Sequence, residues 1–137
     1  MQYVVPADVE DWLRLWLGPK LASLGWSVWC GARLPSTLPA ESVQIYRTGG
    51  VQGTIRSSKP LVTVECRAKK EARAFEIAAT VDGLVLAAGR DGVFYQGTQL
   101  YSARGGPPVS LPDPVHPMPR YTALYELHLS GEVREVL

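Results

Sequence analysis

The residues that could act as acids, bases or nucleophiles near neutral pH are few and dispersed. The chain has two histidines, His116 and His128, and two cysteines, Cys30 and Cys66. Neither histidine lies in an HExxH or GxSxG motif, which would indicate a hydrolase. A Cys66–His128 dyad is not expected, because the alternation of their strands places Cys66 on an apolar face and His128 on a polar one. We therefore predict no catalytic residue and no enzyme activity.

Metal and cofactor sites are not predicted either. Asp8, Glu10 and Asp11 form an acidic cluster, but they stand in the first turn of a predicted helix, where the helix dipole favours carboxylates. Cys30 and Cys66 match no CxxC ligand spacing and lie in apolar strand-like segments. Two buried free thiols in a reducing cytoplasm are the simplest interpretation.

A glycine-rich polar segment, TGGVQGTIRSSKP, covers residues 48–60. Glycine-rich loops can bind phosphate, but this one lacks the GK[ST] ending of a P-loop and the GxGxxG that opens a Rossmann helix. We interpret it as the mobile tip of a long hairpin. Its cations, Arg47, Arg56 and Lys59, could contact a neighbouring subunit or an acidic surface.

Charge and aromatic content favour neither nucleic acid nor membrane as a partner. The 14 basic residues nearly balance the 13 acidic ones, unlike a protein that coats a duplex. The four tryptophans are not interleaved with basic residues, so we expect them in the core or at subunit contacts rather than stacked on bases. No export signal is expected at the amino terminus, and no apolar run reaches the roughly 20 residues that span a bilayer.

The elements that position these residues are clearest in residues 61–86. Val62, Val64, Cys66 and Ala68 alternate with polar residues, which predicts a strand with one buried face. From Lys69 onward, small and apolar residues recur at helical spacing, which predicts a helix covering the sheet. The residues of this predicted apolar stripe are Ala72, Phe75, Ala78, Ala79, Val81, Asp82 and Val85.

The remaining elements flank this unit. An amphipathic helix is predicted to follow Pro6 and Ala7, with Asp8 in its first turn, and to end at Gly25. Strands are predicted at residues 26–33, 42–48 and 99–103, and an Asp-Gly turn at Asp91. Six prolines in residues 107–119 predict an extended surface segment. In the last strand, residues 120–130, Tyr121, Ala123, Tyr125, Leu127 and Leu129 face inward. We predict one domain spanning residues 1–137, an α+β fold with a mostly antiparallel sheet and two main helices packed on one face.

Two sequence segments within this order of elements resemble those of a known protein family. SVQIYRTGG precedes the glycine-bearing hairpin, and SLPDPVHPMPRYTALYELHLSG forms the last strand and its approach. The chain resembles the tail terminator proteins of long-tailed, siphovirus-type phages, particularly those of actinobacterial hosts. The family's P-D-P and P-R-Y segment is matched by Pro112, Asp113, Pro114, Pro119, Arg120 and Tyr121.

The resemblance implies a structural virion protein, assembled in the host cytoplasm, that caps the head-proximal end of the tail tube. It implies a ring, usually of six copies, that ends tail polymerisation and docks the head connector. Its partners would be other copies of itself, the tail tube protein and the connector or neck protein. Subunit or tube contacts are expected in the first hairpin and around the proline segment, at Arg47, Thr48, Gly49, Gly50, Arg56, Ser58, Arg104, Arg120 and Tyr121.

Two alternatives remain. A head-closure or neck protein of similar fold would bind the connector rather than the tube. A small nucleic-acid-binding module would use Arg33, Arg47, Arg56 and Arg67, although the balanced charge argues against it.

Overall fold

The computed structural model describes all 137 residues and contains two helices and nine strands. The helices are α1 (Val9–Ser23) and α2 (Glu71–Asp91). The strands are β1 (Gln2–Val5), β2 (Trp29–Gly31), β3 (Glu41–Thr54), β4 (Ser57–Ala68), β5 (Phe94–Tyr95), β6 (Thr98–Gly105), β7 (Val109–Ser110), β8 (Arg120–Ser130) and β9 (Glu132–Glu135).

Seven strands form the main sheet, in the order β2-β3-β4-β8-β6-β5 with β7 added beside β8. The pairs β3–β4, β4–β8 and β6–β8 are antiparallel, and β2 runs parallel to β3. Both helices pack on one face of this sheet, where their apolar stripes join the inward strand residues in a single core. The predicted α+β fold is confirmed.

The strand alternation was predicted well. Every second residue from Val62 to Ala68 is buried, and Ala123, Tyr125, Leu127 and Leu129 are buried on β8. Tyr121 is only half-buried, because it lies at the start of its strand beside the exposed Phe75 of α2. This face of the sheet is covered because β-branched, leucine and aromatic side chains there meet the two helices.

Helix α1 follows its sequence signals. The Asp8 carboxylate caps the helix by accepting a hydrogen bond from the Asp11 amide at 3.2 Å. The helix ends before Gly25, whose φ of 81° lies in the left-handed region. Pro19 lies inside the helix without ending it. The buried residues recur at the predicted helical spacing and are Val9, Trp12, Leu13, Trp16, Leu17 and Leu21, whereas Leu24, which continues that spacing, is exposed.

Helix α2 differs from its prediction in phase and length. Ala72 and Ala79 are exposed, and Phe75 is 49% exposed. The predicted Asp-Gly turn is wrong: the helix continues to Asp91, and Gly92 caps it with a φ of 65°. Small residues are compatible with either side of a helix, so they did not define the buried stripe. That stripe is Ala74, Ile77, Ala78, Val81, Val85 and Ala88.

Two further predictions need correction. Residues 48–60 are not a loop, because β3 and β4 continue as a two-stranded extension and turn only at Ile55 and Arg56. The ends of the chain, for which no strand was predicted, form a small antiparallel sheet of β1 and β9. Short strands without clear alternation carry little signal in sequence.

Candidate functional site

The first candidate surface is the extension of β3 and β4, residues 48–61, here called the ribbon. It holds or adjoins most of the predicted contact residues. Arg47 stands at its base, where the Arg47 amide donates to Glu10 Oε2 at 2.8 Å and the Arg47 Nε to the Gly49 carbonyl at 3.1 Å. Arg56 is exposed at the turn. The ribbon thus presents two cations at its two ends.

The middle of the ribbon is built from glycine and small polar residues. The register shifts between Arg47 and Gly49, which makes Thr48 a bulge, and Thr63 Oγ1 donates to Thr48 Oγ1 at 3.1 Å. Gly50 has a φ of 123°, and a Cβ there would lie 2.5 Å from the Lys59 carbonyl oxygen. Only glycine fits this approach. Ser58 is buried between Gln52 and Leu129, so its side chain is not on the ribbon surface.

The second candidate surface is the proline-rich segment, residues 111–119, here called the strap. It crosses the face of the sheet opposite the helices, and its anchor is the Asp113 side chain, which is 3% exposed. Asp113 Oδ1 accepts hydrogen bonds from the amides of Val115 at 2.9 Å and His116 at 3.2 Å. At the end of the strap, the Pro119 carbonyl accepts the Ala68 amide at 3.3 Å.

Arg67 binds the strap to the sheet. Its guanidinium donates through Nε to Asp113 Oδ2 at 2.8 Å, through Nη1 to Gln44 Oε1 at 3.0 Å and through Nη2 to Glu65 Oε2 at 2.6 Å. Arg67 and Glu65 are both buried, although both were predicted to face outward on β4. They do face away from the helices, but the strap covers them.

A second arginine joins the same network. Arg120 Nη1 lies 3.3 Å from Glu65 Oε2, and its other nitrogens donate to the Leu111 carbonyl at 3.0 Å and the Pro112 carbonyl at 3.3 Å. The Tyr46 hydroxyl donates to the remaining Glu65 oxygen. Arg120 was predicted as a contact residue, but the structure uses it inside the chain, to hold the start of the strap.

The electrostatics of the network follow from this geometry. Burial raises the pKa of Asp113, but hydrogen bonds from the Val115 amide, Arg67 and the His116 amide outweigh it and hold that pKa well below its usual value. Burial and the hydrogen bond to Glu65 raise the pKa of Tyr46 to about 12. At neutral pH the network therefore holds a charged Asp113 carboxylate and a neutral Tyr46 phenol.

The other predicted contact residues are separate from the network. Arg104 is exposed on β6 opposite Glu126, and it forms no ion pair. Tyr121 packs edge-on against Phe75 with ring centroids 5.4 Å apart. The predicted set thus divides between the ribbon, the strap network, one exposed cation on β6 and Tyr121 beside α2.

The residues first considered for chemistry have structural partners. His116 Nδ1 lies 3.1 Å from Asp113 Oδ2, and His128 Nε2 lies 2.8 Å from Ser57 Oγ. Cys66 is buried on the helix side of β4, the face opposite His128, as predicted. Burial raises the pKa of the Cys30 thiol to about 11, away from the thiolate form that a nucleophile needs.

Three further observations concern metals, aromatics and membranes. No group of three or more His, Cys, Asp or Glu side chains is placed to hold a metal ion.

The tryptophans pack within the chain. Trp12 and Trp16 stack in the core with centroids 6.4 Å apart, and the Arg73 guanidinium lies 4.2 Å from the Trp26 ring centroid. Neither helix combines the length and apolarity that crossing a membrane requires.

The sequence analysis missed the main feature of the site, the buried network of Arg67, Glu65 and Asp113. One signal was present: Glu65 and Arg67 occupy alternate positions on a strand whose other face is apolar. Nothing in the pattern indicated that Asp113, 46 residues from Arg67, would cover them. Cross-sheet partners of this kind depend on the path of the connecting segment.

Comparison with known proteins identifies the fold. No protein-family model and no curated protein matches the sequence. Among solved structures, the chain is similar to one from the "Virion of native gene transfer agent (GTA) particle", with a TM-score of 0.59 and 15% sequence identity. The match covers 81% of this chain and 84% of that chain. At this identity the likeness shows that the two chains share a fold.

Proposed function

We propose that this chain is a structural virion protein that assembles as a ring on the end of a phage tail tube. The observation that carries the proposal is the fold it shares with a chain of a gene transfer agent virion, over 81% of its length. The resemblance of two of its sequence segments to tail terminator proteins supports the narrower role of a tail terminator. In that role the ring caps the head-proximal end of the tube and docks the head connector.

The two surfaces suit a ring subunit. A ring needs two different complementary patches on each copy, and the ribbon and the region around the strap lie at different places on one rigid core. Arg47, Thr48, Gly49, Gly50 and Arg56 supply the ribbon contacts in this proposal. Arg104 and Tyr121 supply contacts near the strap, Arg120 supports them through Glu65, and Ser58 supports the ribbon from within.

A first test asks whether the protein acts at the end of a tube. Purified protein, alone and mixed with the tail tube protein of the same phage, would be imaged by negative stain. We expect rings that sit on one end of each tube. Phage particles assembled without the protein should carry tubes of uncontrolled length. Particles with normal tails in its absence would contradict the proposal.

A neck or head-closure protein is the second candidate, because the gene transfer agent match names a whole particle and this fold could serve at the neck too. Pull-down separates the two roles. A terminator binds tail tube protein, whereas a neck protein binds the connector and leaves the tube unbound.

A further inference from the structure

The outer edge of β3 has no partner strand along the ribbon. β2 pairs with β3 only from Ser42 to Gln44, and Glu10 accepts the Arg47 amide. Beyond these points β3 pairs only with β4. The Gly49 carbonyl accepts Arg47 and the Thr54 carbonyl accepts Gln52 through side chains. The outer backbone groups between them are open to another strand.

This edge also lacks the usual protection. Proteins guard free edges with charged side chains, proline, bulges or a cover, because an open edge pairs with other chains. Residues 48–54, TGGVQGT, contain no charge and no proline. Bulges interrupt the register only at its two ends, between Arg47 and Gly49 and between Gln52 and Thr54. Between them Val51 is 64% exposed. An open edge of this kind is a site for strand addition.

The opposite side of the same sheet has a second open edge. β5 pairs with β6 only at Thr98 and Gln99. From Ser102 to Gly105 the only strand that pairs with β6 is β8, Tyr101 forms a bulge, and Gly89 of α2 packs against Ala103 on the helix side. Three successive antiparallel pairings separate β3 from β6, so the two edge strands run in opposite directions. When a second copy is placed beside the first in the same orientation, its β6 lies antiparallel to this β3.

The two edges differ in a way that favours pairing with each other. The β3 edge is uncharged between Arg47 and Arg56 and has the Glu10 carboxylate at its base, whereas the β6 edge carries Arg104, which is exposed and forms no ion pair in its own chain. A contact between two different patches on identical subunits generates a ring when its rotation closes. Pairing of β3 with β3 would instead end at a dimer.

We propose that the open edge of β3 binds the β6 edge of a second copy of this chain as an added antiparallel strand. The inference rests on the proposed ring and specifies its subunit contact. The main sheet then continues from copy to copy, with backbone hydrogen bonds between Gly49–Gln52 of one copy and Tyr101–Gly105 of the next.

Engineered disulfides test this contact directly. Val51→Cys would be combined in turn with Tyr101→Cys, Ser102→Cys and Ala103→Cys, to sample neighbouring registers. Within one subunit β3 and β6 are three strand spacings apart, about 14 Å, so a disulfide between them must join two copies. On mild oxidation we expect at least one pair to give a ladder of covalent oligomers beyond the dimer, reversed by reductant. The single variants and the wild type, which keep Cys30 and Cys66, are the controls.

A second variant tests the edge without cross-linking. Val51→Lys adds a charge to the open edge, and Leu24→Lys adds the same charge at an exposed residue at the end of α1, away from the ribbon and the strap. We expect Val51→Lys to weaken self-association by at least about tenfold in sedimentation velocity, and Leu24→Lys to leave it unchanged. Circular dichroism confirms that both remain folded.

The outcomes separate this inference from the proposed function. Wild-type rings with no ladder in any pair, or with association unaffected by Val51→Lys, would overturn the strand contact and leave the ring intact. Dimers from Val51→Cys alone would indicate β3–β3 pairing and also overturn it. A wild type that forms no ring, alone or with tubes, would reject the proposed function itself.

Discussion

The two faces of the main sheet are both covered, but by different means. On one face, the helices bury an apolar layer that includes Ile77 and Leu127. On the other, the strap covers a network of charges centred on Arg67. The first cover tolerates many side chains of the right size, whereas the second requires particular partners. We therefore expect the apolar face to supply stability and the polar face to determine where the strap lies.

The ribbon makes this contrast clearer, because it consists of the same strands continued beyond both covers. Along β3 the side chains of Val43 and Ile45 are buried, whereas Val51 is exposed. The composition changes at Gly49, where the alternation of apolar and polar residues ends. The same pair of strands thus supplies core at one end and free surface at the other.

The largest effect should come from the apolar face. Leu127→Ala leaves a cavity at a fully buried site and should lower the free energy of unfolding by about 3 kcal/mol. Leu124→Ala, on the other face of β8 and 49% exposed, is the matched control and should cost under about 1 kcal/mol. Urea unfolding followed by circular dichroism measures both. Equal costs would contradict the difference between the faces.

Disrupting the strap network should lower the free energy of unfolding by nearly as much. Arg67→Ala leaves the buried Asp113 carboxylate without its arginine partner and leaves Glu65 with Arg120 alone, which should cost about 3 kcal/mol. It should also free the strap, so limited proteolysis should cut residues 111–119 faster than in the wild type. Arg104→Ala removes an exposed arginine that forms no ion pair and should change neither measurement. A strap that stays protected in Arg67→Ala would show that its prolines alone hold it.

Acid should loosen the strap before it affects the helix side. The pKa of Asp113 is depressed in the folded protein, so its stabilisation is present above the unfolded value of about 3.9 and is lost as the pH falls toward the folded value. Urea midpoints between about pH 5 and pH 2 should therefore fall more steeply for the wild type than for Asp113→Asn. Parallel curves would mean that Asp113 does not carry the acid response.

The smallest effect on stability should come from the ribbon. Arg47→Glu combined with Arg56→Glu reverses two exposed charges and should change the free energy of unfolding by about 0.5 kcal/mol or less. The same variant should weaken ring or tube assembly, measured by negative stain with tail tube protein. Tails of normal length in its presence would remove these arginines from the proposed contact.

The sequence alone predicted the parts that depend on local periodicity. The inward residues of β4 and β8 and the stripe of α1 follow from which positions recur every two or about 3.6 residues. The α+β class followed from the order of these elements. The predicted buried stripe of α2 differed from the observed one, because alanines carry little information about which side of a helix is buried.

Tertiary structure decided the rest, because those features join residues that are distant in the chain. Arg67 meets Asp113 only because the strap crosses the sheet, and β1 pairs with β9 only because the chain ends come together. The ribbon stays in strand form because β8 supports β4 from Ser57 to Leu61, which no glycine-rich local pattern could indicate. The open backbone groups of β3 and β6 likewise depend on the order of the strands in the sheet. Local sequence does not encode that order.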